Sequence, residues 1–384
     1  MTVPASAGCP APAQSLARGA AGTALLRIER ALNGSGTWHD AHAAITQITP
    51  EPVDGSRDAG LFHGAPALAF VLHAARADGV PRYQLAAGTL NRQADQIARQ
   101  RLADADARMR SGDAATFAEY DLFRGLTGLG ALLLQTTPGS DTFAGVLRYL
   151  VALTRPQMTD GQEVPGWWVA HDPDPALPTP GGHANLGVAH GAAGILAILA
   201  LSARQGHAVA GQHAAIGRLQ AFFGRWRQDA DDHPWWPQWL TRDQLRSGKP
   251  GQQHPGRPSW CYGAAGITRA LQLAALATGD TRRQQDAEDA LATCLHPRKV
   301  ARLDSAGLCH GLAGLYQTAV RAAADALSPA ISERLPELAA ALSAAAREPG
   351  IHGLLTGTAG TDLALETART GPPRSGWDAC LLIT

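Results

Sequence analysis

The 384-residue chain has almost no lysine: Lys249 and Lys299 are the only two, and arginine supplies the rest of its 33 basic residues. Set against 33 acidic residues, this leaves no formal net charge, which excludes a sequence-wide attraction to nucleic acid or to an anionic membrane. Cysteine is scarce as well. Cys9, Cys261, Cys294, Cys309 and Cys380 are too few and too scattered for a disulfide framework, so the expectation is a reducing, cytoplasmic compartment where cysteine serves metal binding or catalysis. Long apolar runs are absent too; the longest, Ile195 to Ala203, is half of what a membrane span needs, and no membrane insertion is expected. The stretch Ala5 to Cys9 looks like a lipoprotein cleavage site, but no apolar segment precedes it. Residues 1–15 therefore read as a disordered tail in front of one domain at 16–384.

Glycine and alanine are what the chain has in plenty, and they recur in a pattern. Gly19-Ala20-Ala21-Gly22, Gly64-Ala65-Pro66-Ala67, Gly125-Leu126-Thr127-Gly128, Gly191-Ala192-Ala193-Gly194, Gly263-Ala264-Ala265-Gly266, Gly311-Leu312-Ala313-Gly314 and Gly357-Thr358-Ala359-Gly360 are seven copies of one motif. Each is followed by apolar residues at helical spacing, such as Ile195, Leu196, Ile198 and Leu199. The motifs start 45, 61, 66, 72, 48 and 46 residues apart, room enough for a helix pair in every repeat. Small residues at a helix start let backbones approach closely. The expected architecture is all-α: an α/α toroid of seven helix-pair repeats, with seven inner helices backed by seven outer ones. Extra length in the middle repeats falls in Pro- and Gly-rich stretches, Pro165 to Trp168, Pro173 to Gly182 and Pro234 to Trp239, which read as loops. Five of the nine tryptophans lie there, as core plugs or as a peptide-binding rim.

A ring turns sequence offsets into geometry, because residues one or two places before each motif glycine meet at one mouth. Those positions hold Phe62 and His63, Phe123 and Arg124, Ala189 and His190, Cys261 and Tyr262, Cys309 and His310, and Leu355 and Thr356. Cys261 and Cys309 are equivalent residues of adjacent repeats, and His310 stands beside Cys309. Two thiolates and an imidazole suit Zn2+, and the want of a fourth protein ligand favours an open, catalytic site. The bland alternative is two small cysteines filling a crowded barrel end beside a hydrogen-bonded histidine. His190 is open to three roles at this stage: fourth ligand, general acid or base, or satisfied core histidine. Asp121 and Arg257 stand a little further upstream, at the lip, where an ion pair or a solvated role is the ordinary expectation.

The strings Trp260-Cys261-Tyr262-Gly263, Cys309-His310-Gly311 and Ala189-His190-Gly191, together with Tyr120-Asp121 and Arg257, resemble those of the LanC-like lanthionine synthetases from about Leu16 onward. The resemblance implies a toroid with a central zinc on Cys261, Cys309 and His310, and active-site roles for His190, Asp121, Arg257 and Tyr262. It implies a zinc-dependent cyclase that adds peptide cysteine thiols to dehydroalanine or dehydrobutyrine and so closes lanthionine and methyllanthionine rings. Its partners would be a dehydrated precursor peptide, a separate dehydratase and an exporter. Two rival readings keep the zinc: addition of a free thiol such as glutathione, or a non-catalytic scaffold for a peptide-modifying complex. Pro66 and Ala67 depart from the motif in the second repeat, and a small β-containing insertion known in the family has no evident place in the chain.

Overall fold

The computed structural model describes residues 13–174, 176–230, 233–345 and 352–384. Seven helices begin at the seven motifs: Ala20–Asn33, Ala65–Ala74, Leu126–Thr136, Ala192–Arg204, Ala264–Thr278, Leu312–Asp325 and Thr358–Thr370. Each packs on the next, and Ala20–Asn33 packs on Thr358–Thr370, so the set closes into a ring. Sequence explains which helices are inner. Residues 192–202 are buried without interruption, the mark of a helix surrounded by protein on every side. The outer helix Gln84–Ser111 buries one stripe only, through Ala87, Leu90, Ala94, Ile97, Ala98, Arg101 and Ala105. At 28 residues this helix accounts for the extra length of the second repeat.

Backbone hydrogen bonds lace the mouth of the ring into a girdle. Leu16 donates to Phe62, Phe62 to Phe123, Leu122 to Ala189, Ala189 to Cys261, Cys261 to Cys309, Cys309 to Leu355, and Leu355 to Ala17, at 2.9 to 3.3 Å. One residue two places before each motif glycine takes part, so the register read from the glycines is the register of the fold. The glycine three residues into the motif answers a steric demand. At Gly314 a Cβ would collide with the Leu308 carbonyl, and at Gly22, Gly128, Gly194, Gly266 and Gly360 the equivalent carbonyl stands in the way. The second repeat escapes this requirement because it turns differently. Gly64 lies at φ 71°, in the left-handed region, whereas Gly125 and Gly311 approach their helices at φ −78° and −116°, and Ala67 is accommodated fully buried.

Two details add to the expected ring. Six outer helices are present among the described residues: Trp38–Thr46, Gln84–Ser111, Asp141–Leu153, Gln212–Trp226, Thr281–Cys294 and Leu335–Ala344. The seventh place is not taken by a helix of that kind. After Thr358–Thr370 the chain turns inward as a short 3-10 helix, Trp377–Leu381, with Trp377, Asp378, Cys380 and Leu381 wholly buried. This segment packs on Leu126–Thr136, accepts hydrogen bonds at the Leu381 and Ile383 carbonyls from Trp260 and Arg269, both at 2.9 Å, and places Asp378 against Gln317 and Arg321. Helices three repeats apart cannot share a neighbour outside the ring, so residues 377–383 fill its axis. The physical reason is size: seven helices leave a central channel that their own side chains do not close.

The second detail concerns the start of the chain. Residues 1–12 lie outside the described residues, but Gln14 is buried, donating to the Pro52 carbonyl at 2.9 Å and accepting from the Asp54 amide at 2.8 Å, and Ser15 bridges to His63. The β-containing elements are short antiparallel pairs in the long middle repeats: Gln157–Thr159 with Gln162–Val164, Ala184–Asn185 with Trp239–Leu240, and Gln228–Ala230 with His233–Trp235. Four of the five loop tryptophans are core plugs, with Trp167, Trp168, Trp235 and Trp236 buried and the Trp167 and Trp236 indoles donating to the Asn185 and Phe223 carbonyls, while Trp239 is half-buried. No helix among the described residues is long and apolar enough to cross a membrane.

Candidate active site

Cys261 and Cys309 are joined through their backbones, the Cys261 amide donating to the Cys309 carbonyl at 3.2 Å, and this brings their side chains together. One ligand atom each from Cys261, Cys309 and His310 lies within 4.8 Å of the others, the one such group among the described residues. His190 is not part of it. The donor set passes a test of fit to zinc on two counts: two sulfurs and an imidazole are the ligands a borderline-soft cation prefers, and His310 Nδ1 is buried with no hydrogen-bond partner. The thiols are already polarised toward one another. The hydrogen bond from Cys309 holds Cys261 well below the ordinary thiol range, helped by His310 and Ser259, while that same bond and burial push Cys309 well above it. Without a cation the pair is one thiolate accepting from one thiol, and a cation placed between the two sulfurs would let both ionise. Cys294 and Cys380 behave otherwise: burial pushes the first up to about 12 and the second well above its ordinary value, so both are inert core thiols. Cys9 lies outside the described residues.

Around the mouth from the cysteines, the Ala189 and Leu122 links bring up the second half of the site. His190 Nδ1 meets Asp121 Oδ2 at 2.7 Å, with the Asp121 side chain 4% exposed and the His190 side chain 20% exposed. The other oxygen, Oδ1, accepts from the Arg124 amide at 2.8 Å and the Gly125 amide at 2.9 Å, where the chain enters the inner helix Leu126–Thr136. Asp121 therefore ties the imidazole to the helix start, and it leaves Nε2 as the ring nitrogen able to exchange a proton. Three rings fix the imidazole plane: Phe117 stacked at 4.8 Å, Phe123 at 4.9 Å and Tyr262 at 6.0 Å between centroids. The Tyr120 hydroxyl holds the His190 carbonyl at 2.9 Å.

Tyr262 is buried, and its hydroxyl has no hydrogen-bond partner among the described residues. Burial first, and then the nearby Cys261 and Cys309 charges, hold its pKa well above the ordinary tyrosine value, so it stays a protonated donor. Arg257 lies at the lip, paired with Asp304 at 2.7 Å and with a third of its side chain exposed. Its positive charge acts on Cys309, lowering that thiol against the larger opposing effects. All the residues singled out from the sequence thus surround one mouth. Sequence reasoning does not reach Phe117 and Asp304. Neither occupies a motif offset, and a lone aromatic or a lone exposed aspartate in a loop carries no spacing signal.

The comparisons with known proteins agree with this geometry. Residues 12–382 match the family described as lanthionine synthetase C-like protein. The chain belongs to that family. A curated relative, nisin biosynthesis protein NisC of Lactococcus lactis subsp. lactis, is 24% identical over 265 residues, 67% of this chain and 60% of the relative. The match therefore spans under two thirds of that relative's length. A solved structure of nisin cyclase superposes with a TM-score of 0.81 at 21% identity, covering 97% of this chain and 92% of the other, which establishes the α/α toroid as the shared fold.

Proposed function

We propose that this lanthionine synthetase C-like protein is a zinc-dependent cyclase closing thioether rings in a dehydrated peptide. The observation that carries the reading is the meeting, at one mouth, of the Cys261, Cys309 and His310 donor set with the His190–Asp121 pair. A zinc ion held by those three residues would supply Lewis-acid polarisation that lowers the pKa of a substrate cysteine thiol. His190 takes up the thiol proton at Nε2, while Asp121 keeps Nδ1 engaged and stabilises the cationic ring. The substrate sulfur bonds to the β-carbon of dehydroalanine or dehydrobutyrine, the C=C π bond breaks, and His190 returns the proton to the α-carbon. The net change is an isomerisation, so no oxidant, reductant or leaving group is required. Tyr262, a protonated hydroxyl with the Asn185 side chain beside it, donates to the enolate oxygen as charge develops there, with Arg257 adding positive potential from the lip. The phenyl rings of Phe117 and Phe123 keep the imidazole in plane and exclude water from the α-carbon.

Since the reaction leaves mass unchanged, the assay incubates a dehydrated, cysteine-containing peptide with the enzyme and counts alkylatable thiols by mass spectrometry. Thiols disappear with the native protein. They persist with Cys309→Ala, which also loses its metal; full ring closure by a metal-free Cys309→Ala protein refutes the mechanism. Adding glutathione in the same assay separates the intermolecular reading, in which the peptide gains the mass of glutathione and keeps its own cysteine. A dehydratase acting beforehand and an exporter acting afterwards are the partners such a substrate and product call for.

A further inference from the structure

A cavity of about 520 Å3 is walled by the helix Gln84–Ser111, the 55–58 loop and the short helix Phe117–Tyr120, and its lining includes Glu119 and Arg124, which flank Asp121 in the chain. The mechanism above makes no use of it. Its frame is built rather than incidental: Arg101, 9% exposed, gathers the Arg57, Ala59 and Arg124 carbonyls and so fixes the walls to each other. Within the lining Arg57 is paired with Asp104 at 2.9 Å and Arg108 with Glu119 at 2.5 Å. Arg101 is spent on carbonyls, with the Asp58 charge acting on it. That leaves Arg124, whose exposed guanidinium makes no hydrogen bond or ion pair among the described residues. Four arginines against three carboxylates give the lining a net charge of +1.

Arg124 also stands in the right place. It is the residue immediately before its motif glycine, the position that holds His190, Tyr262 and His310 in other repeats. Its amide shares the carboxylate that orients His190, so the base of its side chain keeps a fixed relation to the imidazole. On the reading of the site as a peptide cyclase, we infer that this cavity is a subsite for an acidic residue of the substrate peptide, with Arg124 binding its carboxylate while a neighbouring dehydro residue lies over Phe123 and His190. Guanidinium and carboxylate match in charge and in geometry, and the walls offer further donors in Gln93 and Gln96.

Two dehydrated peptides that differ only in Asp or Asn beside the ring-forming dehydro residue test this, with kcat/KM followed by thiol counting. The native protein favours the Asp peptide by about tenfold at low salt, the size of one charge-assisted contact discounted for solvent exposure. In Arg124→Gln the preference falls to about one, with zinc content and Tm unchanged because the guanidinium supports no internal contact. Arg124→Glu reverses the preference and favours a Lys peptide. Equal use of Asp and Asn peptides by the native protein, or an unaltered preference in Arg124→Gln, overturns the inference while leaving cyclase activity established. Failure of the native protein to close either peptide overturns the cyclase reading and this inference with it.

Discussion

Asp121 does two things with two oxygens, and conservative substitution separates them. Oδ2 holds His190 Nδ1 at 2.7 Å, while Oδ1 takes the Arg124 and Gly125 amides at 2.8 and 2.9 Å. Asp121→Ala removes both. It strands two amides at a helix start in a region where Asp121 itself is 4% exposed, and at about 1–3 kcal/mol for each unsatisfied group the protein loses roughly 2–6 kcal/mol. Asp121→Asn keeps an oxygen on the amides and gives up the charge on those bonds, a loss of about 1 kcal/mol. At His190, however, the Asn NH2 now donates to Nδ1, which puts the ring proton on Nε2 and removes both the tautomer able to take up a proton there and the charge that stabilises the imidazolium. General acid–base steps are worth about 10²- to 10⁴-fold, so both variants lose ring-closure rate on that scale while retaining zinc. Denaturant unfolding, metal analysis and thiol-counting kinetics on the three proteins give the comparison. An Asp121→Asn protein with native turnover refutes the assignment of His190 as the proton carrier oriented by a carboxylate. Loss of zinc from either variant refutes the separation of the site into two halves.

Other outcomes follow from the same structure. Asp378, wholly buried between Gln317 and Arg321, anchors the segment in the ring axis; Asp378→Ala leaves a guanidinium without its buried partner and lowers unfolding stability by about 3–5 kcal/mol, measurable by urea titration. Gly314→Ala, which sets a methyl group against the Leu308 carbonyl next to the metal cysteine, lowers stability by about 1–3 kcal/mol and weakens zinc retention in a chelator competition. His183 is buried with its folded pKa held down to about 4 by desolvation, against 6.5 when unfolded. The unfolded chain therefore binds the extra proton, and this contribution to stability is intact above pH 6.5 and falls by roughly 3 kcal/mol as pH drops to 4. His183→Asn flattens that part of the stability–pH curve; an unchanged slope shows that His183 is charged in the folded state.

The ring and its Cys261–Cys309–His310 corner were legible because both rest on small residues whose spacing has a backbone cause. A glycine that cannot be anything else, as at Gly314, marks where a loop crosses a helix start, and the girdle makes Cys261 and Cys309 neighbours once the repeats are aligned. The axial segment was illegible for the opposite reason. Residues 377–383 carry no helical period and no capping signal, and their burial depends on a channel formed by distant helices. Arg269 and Arg321 look like ordinary helix-surface arginines until the Ile383 carbonyl and the Asp378 carboxylate are seen opposite them. Asp121 was identified by its resemblance to a family pattern, but the double use of its carboxylate belongs to three dimensions alone. The stacking of Phe117 on His190 is likewise a contact between residues 73 apart with no shared motif.

Three successive girdle bonds, from Leu122 to Ala189, Ala189 to Cys261 and Cys261 to Cys309, connect the loop bearing Asp121 to those bearing His190, Cys261 and Cys309. The proposed proton carrier and the candidate metal-binding thiols are thus mounted on one hydrogen-bonded backbone strip. A reaction between two residues of a flexible peptide depends mainly on bringing sulfur and β-carbon together with a proton carrier in place, and rigid mounting converts that into local encounter. Only the peptide has to move. On the cyclase reading, because the strip fixes the donor set and the acid–base pair but not the span between cysteine and dehydro residue along the substrate, the expected outcome is that one site closes rings of different sizes, which thiol counting on dehydrated peptides of varied spacing checks.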